Sequence, residues 1–144
     1  MKIGRPVVFY PGKPEFQSLS VPPKIVSSFT EAVGCLEAGH YTAASIMCRR
    51  TLEAICRDKG AKKNSLKDKL EELKANGTLD PRIHEWADYA LRDAGNDADH
   101  AEEYEPRSDE IKDQLEFCRA VIEYVYVFTA AFERFKERRK DREF

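Results

Sequence analysis

The sequence predicts an all-α protein, a bundle of about five helices preceded by an extended, proline-rich arm. Two observations support this fold class. After residue 23, apolar residues recur every three or four positions over most of the chain, which is the spacing of one helix face. Strands need alternating polarity or a run of β-branched residues, and only the short, proline-bounded stretch 7–10 offers such a pattern.

Residues 1–23 differ in composition from the rest of the chain. Five of the seven prolines lie there, together with Gly4 and Gly12. Because proline lacks a backbone N–H and clashes with the preceding helical turn, a regular helix cannot form over this stretch. The whole chain of 144 residues, 42% of them apolar, is long enough for one substantial core. We therefore expect an extended arm over residues 1–23 and one helical domain over residues 24–144.

Glycines separate the first two predicted helices. The first begins at Pro22 and Pro23, since proline fits the first turn of a helix, and it ends at Gly39. The second covers residues 40–59 and ends at Gly60. Their apolar faces are Ile25, Phe29, Val33 and Leu36 in the first helix, and Ala44, Met47, Cys48, Thr51, Leu52 and Ile55 in the second.

Capping residues mark the starts of the third and fourth helices. Asn64 or Ser65 is expected to cap the third helix, which carries leucines at every third or fourth position and stops at residues 76–77. Asp80 and Pro81 combine a capping acid with a proline in the first turn, so they begin the fourth helix. We expect this helix to pack through Trp86 and to run into residues 92–100.

The last helix, expected to be capped by Ser108 or Asp109, carries two neighbouring apolar seams. Each seam repeats at alternate steps of four and three, the spacing of packed helices. One seam can fill the core of the chain, and the adjacent seam then needs another partner, which predicts a homodimer. The first seam consists of Ile111, Leu115, Cys118, Ile122, Val125, Thr129 and Phe132, and the second of Phe117, Val121, Tyr124, Phe128, Ala131 and Phe135.

Composition argues against several classes of function. A formal net charge of −2 gives no overall attraction to nucleic acid, so binding of a polyanion would need a local basic patch. The four cysteines form no C-x-x-C pair and fall in predicted helices, which indicates buried thiols and not a zinc site or disulfide framework. No apolar run approaches the ~20 residues that span a bilayer, and no glycine-rich phosphate loop occurs. We expect a cytoplasmic protein with no membrane contact and no cofactor.

Polar side chains that suit a functional site are concentrated in residues 86–104. Arg92, Asn96 and His100 follow one another at four-residue spacing, which places them on one ridge of a continuing helix. Gly95 lies within this run and weakens a helix interior by about 1 kcal/mol relative to Ala, or closes the helix C-terminus. Two outcomes are therefore expected: the helix continues and carries the three polar side chains on one ridge, or it stops or bends at Gly95.

A second set of candidate binding residues lies on the second helix. Arg49 and Glu53 are four residues apart, so they can form a solvated ion pair worth ~0.3–0.5 kcal/mol or face a shared buried surface. Four acidic residues between 97 and 103 flank His100; they favour its protonated form and repel phosphate. Arg49 and Arg50 supply basic groups that offset this repulsion, and we include them with Glu53 as candidate binding residues.

Two segments resemble a known family. EAVGCLEAGHYTAASIMCRRTLEAI (residues 31–55) and LRDAGNDADH (residues 91–100), preceded by FYPG and VPPKI, look like the bacterial domain-of-unknown-function family 4145. That family is similar to the HEPN superfamily of helical, usually dimeric domains, which are common in nucleases, toxins and phage-defence systems. The resemblance covers residues 9–135. It implies a HEPN-like bundle and a dimer.

The resemblance also suggests an activity, since many HEPN domains are metal-independent RNases. Their motif is an Arg, an adjacent polar residue and a His a few residues later. His100 takes the His position and Asn96 the polar position, but Gly95 stands where active members have Arg. In such an enzyme His100 would act as general acid or base, while Asn96 and Arg92, one turn earlier, would bind phosphate.

Three functions compete for these residues. In the favoured one, Arg92, Asn96 and His100 hold a bend between two helices by hydrogen bonding to backbone groups, and the protein is a non-catalytic module that binds RNA or a partner protein. The alternative is the metal-independent RNA endonuclease. A third is a metal site formed by Asp97, His100 and Glu103; the density of acidic residues favours a loop there, so no metal site is predicted.

Overall fold

All regular structure in the described part of the chain is helical. The computed structural model describes residues 20–91 and 105–142. The elements, in chain order, are α1 (Pro23–Glu37), α2 (Tyr41–Asp58), α3 (Leu66–Ala75), α4 (Pro81–Ala90), α5 (Ser108–Ile122), a π-helical segment (Glu123–Phe128) and α6 (Thr129–Arg142). Since α5, the π-helical segment and α6 follow one another without a break, these ranges contain five rods, and the predicted all-α class is confirmed. Residues 1–19 of the predicted arm lie outside the described residues.

Most helix boundaries follow the predicted signals. Ser65 Oγ accepts a hydrogen bond from the Asp68 backbone N–H at 3.0 Å and caps α3, and Asp80 Oδ1 accepts one from the Arg82 N–H at 2.8 Å and caps α4. Gly39, Gly60 and Gly77 follow α1, α2 and α3 with φ of +80°, +86° and +84°, the left-handed conformation that glycine adopts most readily.

The start of the last helix differs from the prediction by a residue. Ser108 and Asp109 were expected as caps, but Ser108 is already helical, and the extended residue before it is Arg107. Arg107 makes no side-chain cap; its guanidinium pairs with Asp109 at 3.4 Å and Glu110 at 3.2 Å. These two acids lie in the first turn, where negative charge interacts favourably with the helix dipole.

The core lies between α1, α2 and α5, which pack on one another. α2 is central because it also contacts α3, and its residues Cys48, Leu52 and Ile55 are fully buried. Two polar residues in the core are satisfied by hydrogen bonds. The Thr51 hydroxyl donates to the Met47 carbonyl at 2.8 Å, and Ser45 Oγ donates to Gln114 Oε1 of α5 at 3.0 Å.

The four cysteines are free thiols, as the sequence indicated, and three of them are buried in the core. Burial raises the pKa of Cys56 to about 12, and it raises the pKa of Cys118 well above its usual value. A thiol with a raised pKa is protonated at neutral pH and therefore a poor nucleophile. None of the described helices combines the length and apolar content needed to cross a membrane.

In the last helix, buried and exposed residues are separated along its length, and not by which of the two predicted seams they belong to. In α5 both seams are buried, for example at Leu115 and Ile122 of the first seam and at Phe117 and Val121 of the second. By contrast, α6 contains no buried residue and, among the described elements, packs only against the π-helical segment before it. The prediction that one complete seam fills the core is therefore wrong.

The π-helical segment Glu123–Phe128 marks the boundary between the buried and exposed halves. A turn closed by i to i+5 hydrogen bonds holds one more residue than an α-helical turn, so α-helical spacing does not continue in register through it. Tyr126 Oη donates to Asp58 Oδ2 of α2 at 2.6 Å, and Lys59 Nζ lies 4.7 Å from the Tyr126 ring centroid. The segment is thus held against the end of α2 just before α6 leaves the bundle.

Candidate functional site

The predicted site residues Arg92, Asn96 and His100 lie outside the described residues, so the ridge they were expected to form stays a prediction. The helix that was expected to carry them is shorter than predicted. α4 ends at Ala90, and the C-cap residue Leu91 donates its N–H to the Ala87 carbonyl at 3.0 Å. The described part of α4 therefore does not extend into residues 92–100.

Of the candidate binding residues on α2, Glu53 has a different partner from the one predicted. Its carboxylate pairs with Lys69 of α3 and not with Arg49 of its own helix. The side chains of Lys69 and Glu53 are 15% and 29% exposed, so the pair is partly desolvated and joins two helices. Arg49 is half-buried and Arg50 is exposed on the same helix. The expected Arg49–Glu53 pair does not form because Lys69 pairs with the Glu53 carboxylate instead. Sequence spacing could not predict this, since it reveals only partners on the same helix.

A cavity of about 160 Å³ lies between α4 and α5. It adjoins the positions where the chain leaves α4 and re-enters α5, since Ala90 and Glu110 both line it. The Trp86 ring packs edge-on against Phe117, with centroids 5.7 Å apart and planes at 62°. The lining residues are Trp86, Tyr89, Ala90, Glu110, Asp113, Gln114 and Glu116.

Sequence reasoning missed this cavity, apart from the packing role of Trp86. Its walls come from two helices, and the buried amide of Gln114 has its hydrogen-bonding partner Ser45 at a sequence separation of 69 residues. No local spacing predicts such a contact. A glutamine among the apolar residues of α5 was the one available signal.

The exposed half of the last rod carries a ladder of aromatic rings. Tyr124 and Phe128 stack with centroids 5.6 Å apart and planes at 5°, and Phe128 and Phe132 stack at 6.4 Å and 15°. Phe128, Phe132 and Phe135 are 57%, 49% and 47% exposed. We call these three residues the α6 aromatic face; Phe128 is the last residue of the π-helical segment, and the other two lie on α6. A contiguous exposed apolar face of this kind is typical of an interaction surface.

Residues 20–91 and 105–142 contain no cluster of three His, Cys, Asp or Glu side chains placed to hold a metal ion. The Asp97, His100 and Glu103 set considered above lies outside these ranges. Two features of the described residues remain as candidate binding surfaces, the cavity between α4 and α5 and the α6 aromatic face.

Comparison with known proteins gives one positive result. A family model described as Domain of unknown function (DUF4145) matches residues 30–138. Searches of curated proteins and of solved structures gave no match. The matched region begins within α1 and ends within α6, so it includes every described helix at least in part. The chain therefore belongs to the DUF4145 family of domains of unknown function.

Proposed function

We propose that this protein is a non-catalytic, HEPN-like helical module that joins two copies of itself through the α6 aromatic face. The dimer then binds RNA or a partner protein, in a setting of bacterial restriction or phage defence. The observation that carries the proposal is the exposure of Phe128, at the end of the π-helical segment, and of Phe132 and Phe135 on α6, which leaves the bundle. The resemblance to HEPN domains, which are usually dimeric, supports the same conclusion.

The apolar area on α6 is large enough to drive self-association. A phenylalanine buries ~150–250 Å², so a half-exposed ring leaves about 100 Å² uncovered. At about 25 cal/mol per Å², covering one ring contributes about 2.5 kcal/mol. Three rings in each of two copies give about 15 kcal/mol, which matches or exceeds the ~4–15 kcal/mol that association costs in lost motion.

Charge on α6 favours an antiparallel arrangement of the two copies. The helix carries six basic and three acidic residues, and four of the basic residues lie at positions 138–142. A parallel pair would place these two basic ends side by side, where like charges repel. An antiparallel pair separates them and makes the interface identical for both copies, as a two-fold axis requires.

The remaining candidate residues have binding and structural roles in this proposal. Arg49 and Arg50 present positive charge on α2 to an acidic partner, and Glu53 holds α2 to α3 through Lys69. Arg92, Asn96 and His100 hold the connection between α4 and α5. Each dimer carries two copies of the α2 residues and of the residues between α4 and α5. This duplication strengthens binding to a partner that contacts both copies.

Charge substitution on α6 tests the proposal. Phe132→Glu removes an apolar contact from both copies and places two carboxylates in the interface. We expect at least a thousandfold loss of self-association, the equivalent of about 4 kcal/mol. Ile46→Glu is the matched control, because Ile46 is 60% exposed but lies on α2. Size-exclusion chromatography with light scattering measures the mass of each variant, and circular dichroism checks the fold. Equal masses for the two variants would rule out the α6 aromatic face as the interface.

The RNA endonuclease is the second candidate. The match of Asn96 and His100 to the HEPN motif favours it, and Gly95 in place of the motif Arg stands against it. Cleavage would use the 2′-hydroxyl of the RNA as nucleophile, with His100 transferring the proton and no metal required. This activity is compatible with the same dimer, because self-association uses the α6 aromatic face whereas catalysis would use Asn96 and His100.

A further inference from the structure

The cavity between α4 and α5 has one buried polar group with unused hydrogen-bonding capacity. Gln114 is 2% exposed, and its Oε1 atom accepts from Ser45 Oγ at 3.0 Å. Its amide Nε2 donates to no described residue. Buried polar groups nearly always have a partner, and a donor left without one costs free energy. Gln114 therefore offers an N–H group to whatever occupies the cavity it lines.

Carboxylates beside Gln114 can accept hydrogen bonds from an occupant of the cavity. Asp113 and Glu116 form no ion pair with a described residue, and they lie three residues apart on α5. Like charges at this spacing repel one another on a helix. Glu110 differs, because its carboxylate is 3.2 Å from the guanidinium of Arg107. An occupant with an N–H donor next to an acceptor satisfies both Asp113 and Gln114.

The aromatic wall and the volume set the shape of the occupant. Trp86 and Tyr89 line the side of the cavity formed by α4. Aromatic side chains of this kind stack on flat heterocyclic rings. The volume of about 160 Å³ is that of one aromatic ring, since a cavity of ~150 Å³ accommodates benzene. A flat six-membered ring therefore suits both the wall and the space.

We propose that this cavity binds an amino-substituted six-membered nitrogen heterocycle, the ring of cytosine or the pyrimidine half of adenine. The exocyclic amine donates to Asp113, and the adjacent ring nitrogen accepts from Gln114 Nε2. The ring stacks against Trp86 or Tyr89. This pairing of a carboxylate with an exocyclic amine is the one by which Asp and Glu recognise cytosine. The site is independent of self-association through α6.

The single tryptophan gives a direct measurement. Because Trp86 is the only tryptophan in the chain, fluorescence excited selectively at tryptophan reports on a residue that lines this cavity. Cytidine should change the fluorescence saturably. Uridine has a carbonyl in place of the amine and an N–H in place of the acceptor nitrogen, so its donor and acceptor are reversed relative to Asp113 and Gln114. It should bind at least about tenfold more weakly. Fluorescence that does not respond to cytidine up to about 10 mM, a concentration beyond which binding is negligible, would overturn the proposal.

Three variants and two competing ligands separate this proposal from simpler ones. Asp113→Asn changes an exposed residue and should weaken cytidine binding about tenfold or more. Gln114→Glu keeps an acceptor for Ser45 but removes the N–H donor, so it should weaken binding as well. Glu31→Gln, an exposed change on α1, should have no effect. If uridine or arginine binds as tightly as cytidine, or if Asp113→Asn binds normally, the cavity recognises only a flat ring or a positive charge, and the assignment fails.

Discussion

The hydrogen bond between Tyr126 and Asp58 should stabilise the start of the exposed helix. Tyr126→Phe removes the hydroxyl that donates to Asp58 at 2.6 Å and keeps the ring beneath Lys59. A hydrogen bond to a charged acceptor contributes ~1.5–3 kcal/mol, and the lower value applies because Asp58 is exposed. We expect a loss of about 1.5 kcal/mol in the free energy of unfolding, or a fall in Tm of about 5 °C.

Tyr124→Phe is the matched control for this measurement. Tyr124 lies in the same π-helical segment and stacks on Phe128, but its hydroxyl donates to no described residue. Its removal should change stability by less than about 0.5 kcal/mol. Urea unfolding should be followed at one fixed protein concentration, because self-association adds to apparent stability. Equal losses in the two variants would refute the role assigned to the Tyr126 hydroxyl.

The same bond predicts a dependence on alkaline pH. Burial raises the pKa of Tyr126, and the hydrogen bond and negative charge of Asp58 raise it further. A folded-state pKa above the unfolded value of about 10 means that the contribution is complete below pH ~10. It declines as the pH rises from there toward the folded pKa. The stability difference between the wild type and Tyr126→Phe should therefore narrow above pH ~10.

Two further predictions concern an N-cap and the candidate nuclease residue. The hydrogen bond from the Arg82 backbone N–H lowers the pKa of Asp80. The stability that the charged Asp80 cap contributes is therefore present above pH ~4 and is lost as the pH falls through the folded pKa. In urea unfolding measured at decreasing pH, Asp80→Asn should lose less stability on acidification than the wild type does. If the endonuclease hypothesis is correct, metal-free protein cleaves mixed RNA and His100→Ala does not, as a gel assay would measure. RNA cleavage at the same rate by both proteins would eliminate His100 as the acid or base.

Helix positions were predictable because their signals are local. Ser65 and Asp80 cap their helices through backbone N–H groups two or three residues away. The sequence alone identified Asp80 and limited the cap of α3 to Asn64 or Ser65. Gly39 and Gly60 adopt the positive φ that makes glycine a helix stop. The start of α5 was misplaced because Ser108 resembles a cap in sequence, whereas its side chain has no capping role in the structure.

Contacts between helices were less predictable. Glu53 pairs with Lys69 of α3 and not with Arg49, since an ion pair at a partly desolvated helix interface is stronger than one in open solvent. The hydrogen bond of Gln114 to Ser45 likewise needs the packing of α5 on α2 before it can be recognised. These interactions depend on tertiary structure, which apolar periodicity does not specify.

The division of the last helix at the π-helical segment was also beyond the sequence pattern. Apolar spacing of three and four continues through residues 123–128, so nothing in it indicates a wider turn. The excess of apolar residues was recognised correctly, but its location was not. The exposed apolar residues lie at the end of the π-helical segment and on α6, where Phe132 of the first seam is exposed beside Phe128 and Phe135 of the second.

Sedimentation equilibrium of the unmodified chain tests most directly whether a second copy covers α6. One chain has a mass of 16.5 kDa. At micromolar concentrations, at which a complex with Kd below about 1 μM is mostly formed, we expect twice that mass. A mass of 16.5 kDa at every concentration up to about 100 μM would mean that the Kd of the dimer is above about 100 μM. Such a result would contradict self-association through the α6 aromatic face.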